Sequence, residues 1–430
     1  MTEPDRDRQL ADTPPGDTSP GDTPPGDTPP GDTPPGNTPL ALYIHWPWCR
    51  AKCPYCDFNS HVATSIDHQA FAEAYRCEMT HMASRVGRDR PLHSIFFGGG
   101  TPSLMPPRLV ADTLDTAADL FGFEPDIEIT LEANPTSTEA ANLEGLAAAG
   151  VNRISLGVQS LDAAALAFLG REHSADEALH AIAAARRHFA RVSMDLIYAR
   201  TGQSAQAWMN ELQSAIDIGL DHMSLYQLTI EPGTGFYTRT RAGETLVADD
   251  DLAADLYQMT DEAMRVAGFD AYEVSNYARA GAACRHNLVY WRAQDWIGVG
   301  PGAHGRLTDG PDRIGLATRR SPEGWLADVK KNGHGIETET RDTGQAVIAE
   351  HLMMGLRLAE GVDLAALARR IGYDDSTIDA ASLVDPSALA RLSDLSLLDR
   401  PSDTRLVATP QGRLVLNSII AALVPDDDPQ

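Results

Sequence analysis

Between Leu42 and Leu228, short apolar runs alternate with longer stretches whose apolar positions recur every three or four residues. The short runs at 42–45 (LYIH), 93–97 (HSIFF), 127–132 (IEITLE), 152–157 (NRISLG), 191–197 (RVSMDLI) and 222–228 (HMSLYQL) read as strands. The stretches at 67–85, 106–121, 137–149, 174–188 and 204–218 read as amphipathic helices. Strand–helix alternation predicts a parallel sheet with right-handed crossovers. Six such units, rather than eight, predict an α/β fold of the incomplete (β/α)6 barrel kind. Its chemistry would lie at the C-terminal ends of the strands.

The pattern changes on both sides of this region. Residues 13–37 repeat a unit such as Thr23-Pro24-Pro25-Gly26-Asp27, too poor in hydrophobic residues to bury a core, so 1–38 is expected to be a disordered acidic tail. The barrel is expected over 39–230. An extension over 231–343 carries a helical pattern at 249–267 and a Gly-rich aromatic stretch at 284–306. The remainder, 344–430, reads as a mostly helical domain with a hairpin around Leu398–Val407, an order that resembles a winged helix. A winged helix raises DNA binding, but from Gln345 onward there are seven basic and thirteen acidic residues, and the whole chain carries a net charge of −26. Phosphate backbones attract basic faces, so nucleic acid is excluded and the domain is expected to be structural or protein-binding.

No window approaches the roughly 18 apolar residues of a membrane span, and no apolar leader precedes the repeats. A cytoplasmic protein without an integral membrane segment is the expectation. Five cysteines are too few for a disulfide framework in 430 residues. Three of them fall within eight residues, which reads as metal binding.

Those three, Cys49, Cys53 and Cys56, follow the first strand with the spacing C-x3-C-x2-C. Three thiolates are one fewer than an ordinary electron-transfer cluster uses, leaving one iron open to a chelating cosubstrate. The competing assignment is a zinc site completed by His45 or His61. The next strand ends in Gly98-Gly99-Gly100-Thr101-Pro102, where glycines let a ligand approach the backbone closely. Later strands end with Glu132 and Asn134, with Gln159, and with Tyr226 and Gln227, the fifth strand contains Asp195, and Arg171 lies twelve residues beyond Gln159. Together these polar groups would ring the one face where a barrel site forms.

The segments YIHWPWC, CPYCDFNSH, FFGGGTPS, LEANP, SLGVQS, GREH, DLIY, YQLTIEPGT and HNLVYW closely resemble the radical-SAM family, and within it the HemN/HemW group. The resemblance runs from about Tyr43 to the C-terminus. It implies that Cys49, Cys53 and Cys56 ligate a [4Fe–4S] cluster. It also implies that Tyr43, Gly99, Gly100, Thr101, Glu132, Gln159, Arg171 and Asp195 hold S-adenosylmethionine, with Tyr55 beside the adenine. Arg171 would pair with the methionyl carboxylate, while Glu132 and Asp195 would accept from amine or ribose hydroxyls. The family's usual DLIYGLPGQ is broken here: Arg200 stands where an apolar residue is common.

Within the group, coproporphyrinogen III dehydrogenases of the HemN type carry a further cysteine two positions after the third ligand. Here that position is Phe58. Phenylalanine there, and an H-N-x2-Y-W motif at His286-Asn287-Leu288-Val289-Tyr290-Trp291, resemble the heme-chaperone branch instead. That resemblance implies heme binding with His286 in the heme site. Delivery would be to heme-requiring acceptors such as membrane respiratory enzymes. From the residues themselves, a buried histidine with packed aromatics remains open, and Cys284 is another candidate ligand. The alternatives are an oxygen-independent coproporphyrinogen III dehydrogenase and a non-catalytic cluster or zinc protein.

Overall fold

A computed structural model describes residues 38–87, 89–373 and 380–424. The repeat tail expected over 1–38 therefore lies outside the described residues, save for Thr38 itself. Strands β1 (Leu40–Trp46), β2 (Leu92–Gly99), β3 (Phe123–Ala133), β4 (Arg153–Gln159), β5 (Arg191–Tyr198) and β6 (His222–Gln227) are successive parallel neighbours. Parallel strands covered on both faces need near-continuous apolar sequence, and β1 is buried throughout except at Tyr43.

The crossovers are helical, as the periodicity predicts: α1 (His68–Val86), α2 (Pro107–Phe121), α3 (Ser137–Ala140) with α4 (Leu143–Ala148), α5 (Ala175–His188) and α6 (Ala205–Asp217). Their starts are chemically marked. Asp67 accepts from Ala70 N, and Ser174 and Glu177 form a reciprocal capping box at α5. The single helix expected over 137–149 is two short ones. The Glu139 carboxylate in α3 accepts from Ser103 Oγ and from Asn134 N at 2.7 Å, tying that turn to the end of β3, and the chain restarts at α4.

The sheet continues beyond the six strands to twelve. At one edge, after helix α7 (Asp250–Val266), β8 (Asn276–Ala278) adds antiparallel to β6 and β7 (Asp270–Ala271) adds antiparallel to β8. At the other, the Gly-rich aromatic stretch divides into helix α8 (Arg285–Trp291) and strand β9 (Asp295–Val299). Strand β9 lies parallel to β1 with Gly298 opposite Tyr43. The strands β10 (His304–Asp309), β11 (Asp312–Thr318) and β12 (Ile336–Asp342) follow antiparallel.

The C-terminal unit runs α9 (Gln345–Gly355), β13 (Val362–Asp363), α10 (Leu364–Arg370), α11 (Pro386–Asp394), the hairpin β14 (Leu398–Ser402) and β15 (Arg405–Ala408), and α12 (Leu416–Leu423). This is the winged-helix order, with its own core around Leu352, Leu364, Leu406 and Leu423. A buried ionic cluster fixes it to the sheet: Arg313 reaches Asp295 at 2.9 Å and Glu350 of α9 at 3.5 Å, and Arg306 reaches Glu350 at 2.9 Å. Among the described residues no helix is long and apolar enough to cross a membrane.

Candidate cluster and cofactor site

The cysteine loop leaves β1 at Trp46 and is held against the glycine turn after β2. Gly100 N donates to Trp46 O at 2.7 Å and Thr101 N to Trp48 O at 2.9 Å. A Cβ on Gly98 would lie 2.8 Å from the Tyr43 ring, on Gly99 2.6 Å from the His45 ring, and on Gly100 2.7 Å from Trp48 O. The glycine triplet is thus required first by chain packing. Its other side, at Gly99 and Gly100, is open to a cavity.

Thr101 Oγ1 donates to Cys49 Sγ at 3.3 Å, and Arg171 to Cys53 Sγ at 3.4 Å. Burial pushes the Cys49 thiol up to about 11; Thr101 counters this, and Cys56 and Cys53 add to it, so the three sulfurs share one electrostatic environment. The zinc set is not assembled. His45 Nδ1 lies 2.9 Å from Tyr43 Oη and its Nε2 lies 2.9 Å from Asn59 O, while His61 Nε2 lies 3.2 Å from Asn59 Oδ1. Among the described residues no three His, Cys, Asp or Glu converge on one ion position, as tetrahedral zinc would require.

Cys49, Cys53, Cys56 and Tyr55 form one end of a cavity of about 930 Å³. Gly99, Gly100, Thr101, Glu132, Gln159, Arg171 and Asp195 line it further in, so the structure brings together eleven of the residues singled out from the sequence. Burial, reinforced by the Asp195 charge, pushes the Glu132 carboxyl up to about 8, although Gly99 N donates to it at 3.3 Å. Asp195 is also raised by burial, and hydrogen bonds from Ser224 and Ser155 counter this. Gln159 sits at φ 67°, where a register shift ends β4, and this left-handed residue is the strand's last. Arg171 donates to Asn134 Oδ1 and, at 2.8 Å, to Gly157 O, but its buried Nε has no partner among the described residues. A free buried donor on a cation, facing two carboxylates across a cavity, fits a zwitterionic amino-acid group with a ribose beyond it.

Tyr43 and His286 fall outside this ring. Tyr43 lines a second cavity of about 560 Å³, which shares Gly99 and Glu132 with the first. His286 lines neither cavity and is 1% exposed. Its ring stacks on Phe96 at 5.1 Å, Nδ1 lies 3.0 Å from Ser94 Oγ, and Nε2 lies 2.8 Å from Tyr290 Oη. Burial pulls its pKa down to about 3, so it is neutral. What this segment presents to the second cavity is Tyr290 and Trp291. Cys284 is likewise buried, its Sγ 3.4 Å from Glu128 Oε1.

The C-terminal unit closes the larger cavity with Arg357, Arg413 and the segment Leu414–Ser418. No local sequence signal marks these, because they reach the strand ends only by docking of one unit on another. Arg200 resolves the departure in the loop after β5. It is buried, donates to Ile197 O, and pairs with Glu211 of α6 at 3.1 Å. Glu211 in turn accepts from Ser160 Oγ and from Leu161 N at 2.8 Å, so the loop is clamped by a satisfied ionic pair.

A half-buried cysteine triad at the mouth of a mostly parallel sheet, with a cation and two carboxylates at the strand ends, defines a radical-SAM-type protein. In agreement, the Radical SAM superfamily matches residues 43–215 and the HemN C-terminal domain matches 343–415. Heme chaperone HemW of Mycobacterium tuberculosis is 36% identical over 392 residues, covering 89% of this chain and 94% of its own. Radical S-adenosyl methionine domain-containing protein 1, mitochondrial, of Bos taurus is 42% identical over 329 residues, or 75% and 74% of the two chains. The solved structure of coproporphyrinogen III oxidase (HemN) from Escherichia coli shares the fold, with a TM-score of 0.75 over 90% of both chains at 21% identity. This chain belongs to the HemW family within the radical-SAM superfamily.

Proposed function

We propose that this chain is a cytoplasmic heme chaperone that carries a [4Fe–4S] cluster on Cys49, Cys53 and Cys56, binds S-adenosylmethionine, and hands heme to acceptors such as membrane respiratory enzymes. When bound, the cluster supplies an open iron position that chelates an amino-acid head group. The chain's own residues do the rest. Arg171 would offer its unpartnered Nε to the carboxylate, Glu132 and Asp195 would accept from amine and hydroxyl groups, and the C-terminal unit covers the mouth. Support for heme as cargo comes from the relatives named as heme chaperones.

The observation that carries a chaperone rather than a dehydrogenase is Phe58. It is 57% exposed on the rim of both cavities, at the position where HemN-type dehydrogenases resemble one another in having cysteine. An inert ring there offers no thiol to a porphyrinogen substrate. Anaerobically reconstituted protein, assayed in parallel, is expected to bind heme stoichiometrically and to leave coproporphyrinogen III unchanged. Sustained turnover with heme affinity no better than that of an unrelated acidic protein sinks the proposal in favour of the dehydrogenase.

Arg171→Ala is expected to weaken S-adenosylmethionine by about 1.5–3 kcal/mol, the contribution of a charged hydrogen bond. Equilibrium binding to the reconstituted protein checks this. An unchanged affinity would remove Arg171 from the site.

A further inference from the structure

The second cavity contains a histidine that the cluster and cosubstrate site do not use. His304 opens β10, lines the cavity, and its ring has no hydrogen-bond partner among the described residues. The other imidazole on this wall, His45, has both nitrogens committed, as does the enclosed His286. Burial, followed by the charges of Arg320 and Arg306, pulls His304 below the ordinary histidine range, so it is neutral near pH 7 and carries a lone pair.

The remaining walls suit a flat apolar macrocycle. Tyr290, Trp291, Trp296 and Met354 form them, with the exposed Phe58 at the rim. The Tyr290 and Trp296 rings meet edge to face at 4.7 Å. The volume of about 560 Å³ lies in the range of small-molecule and cofactor sites. Arg320, also on the wall, is exposed and makes no ion pair among the described residues, leaving its guanidinium for a carboxylate.

The geometry points to heme seated in this cavity, with His304 Nε2 or Nδ1 on the iron and Arg320 on a propionate. This rests on the chaperone function proposed above and assigns its cargo site. The backbone that carries the donor is held in place. Asn59 Nδ2 donates to both Pro301 O and Arg320 O at 2.9 Å, and Trp296 Nε1 donates to His304 O at 3.1 Å. Gly302, at φ 79°, has no room for a side chain, since a Cβ would lie 2.4 Å from Asn59 Nδ2. Asn59 lies three residues after Cys56, so the loop that carries the cysteines also holds the backbone at Pro301, three residues before His304, and at Arg320. Heme there would adjoin the cosubstrate cavity across Gly99 and Glu132. The open side, at Phe58, His304 and Arg320, is where an acceptor would collect it.

The test is hemin titration of the full-length, cluster-reconstituted protein, read by Soret absorption and electron paramagnetic resonance. His304→Ala is expected to lose the histidine-ligated signal and at least tenfold in heme affinity, with cluster absorption and S-adenosylmethionine affinity unchanged. Arg320→Gln is expected to lose severalfold in affinity while keeping the ligation signal. His286→Ala is expected to keep that signal, since its ring faces Ser94 and Tyr290. A wild-type spectrum in His304→Ala, or loss of the signal in His286→Ala alone, overturns the assignment of His304 but leaves the chaperone proposal standing. Failure of the wild type to bind heme overturns both.

Discussion

Single replacement of Cys49, Cys53 or Cys56 by Ala abolishes the visible charge-transfer absorption and the bound iron and sulfide of the anaerobically reconstituted protein, whereas Cys77→Ala and Cys284→Ala leave them intact. This expectation rests on where the five thiols lie. Cys49, Cys53 and Cys56 line one end of the larger cavity and feel one another's charge. Cys77 is exposed on α1, and Cys284 is enclosed at the start of α8 with its thiol on Glu128. A cluster that already leaves one iron without a protein ligand has no thiolate in reserve, so losing one of three is not a graded loss. Equal loss of iron in Cys77→Ala or Cys284→Ala would falsify the three-ligand assignment. Zinc in place of iron and sulfide in the purified wild type would revive the mononuclear alternative, which the committed ring of His45 opposes.

Arg200→Leu is expected to destabilise the protein by about 3–5 kcal/mol, because it leaves the Glu211 carboxylate buried without its cation. Both side chains are 7% exposed, so water screens the pair little. Glu211 also holds Ser160 Oγ and Leu161 N, which places the strain at the ends of both β4 and β5. Urea unfolding of the single variant and of Arg200→Leu/Glu211→Leu separates the two contributions. The double variant should recover much of the loss, since removing both charges abolishes the desolvation penalty that removing one exposes. A loss below about 1 kcal/mol for the single variant would show that the pair behaves as a solvated one.

The strands, their parallel order and the cluster ligands are legible in the chain because each depends on neighbours a few residues away. Alternating periodicity places β1 to β6 and their helices, and C-x3-C-x2-C sets three thiols on one turn immediately after β1. Polar residues where apolar runs stop mark Glu132 and Gln159, since a parallel strand buried on both faces tolerates them best at its end, while Asp195 stands out as a carboxylate inside an apolar strand. The tertiary structure decided the remainder. Strand β9 pairs with β1 across some 250 residues of sequence, and Arg413 joins the cysteine cavity from the far end of the chain, contacts with no local signature. The HNLVYW motif shows the division within one segment. On a helix, His286 and Tyr290 are one turn apart and share a face, which sequence spacing determines. Packing of α8 against β2 then buries the imidazole under Phe96 with both nitrogens satisfied, and leaves the aromatic rings facing the cavity. Which residue is a ligand depends on which atoms keep an unshared donor or acceptor after the chain has closed on itself, and only the folded arrangement sets that.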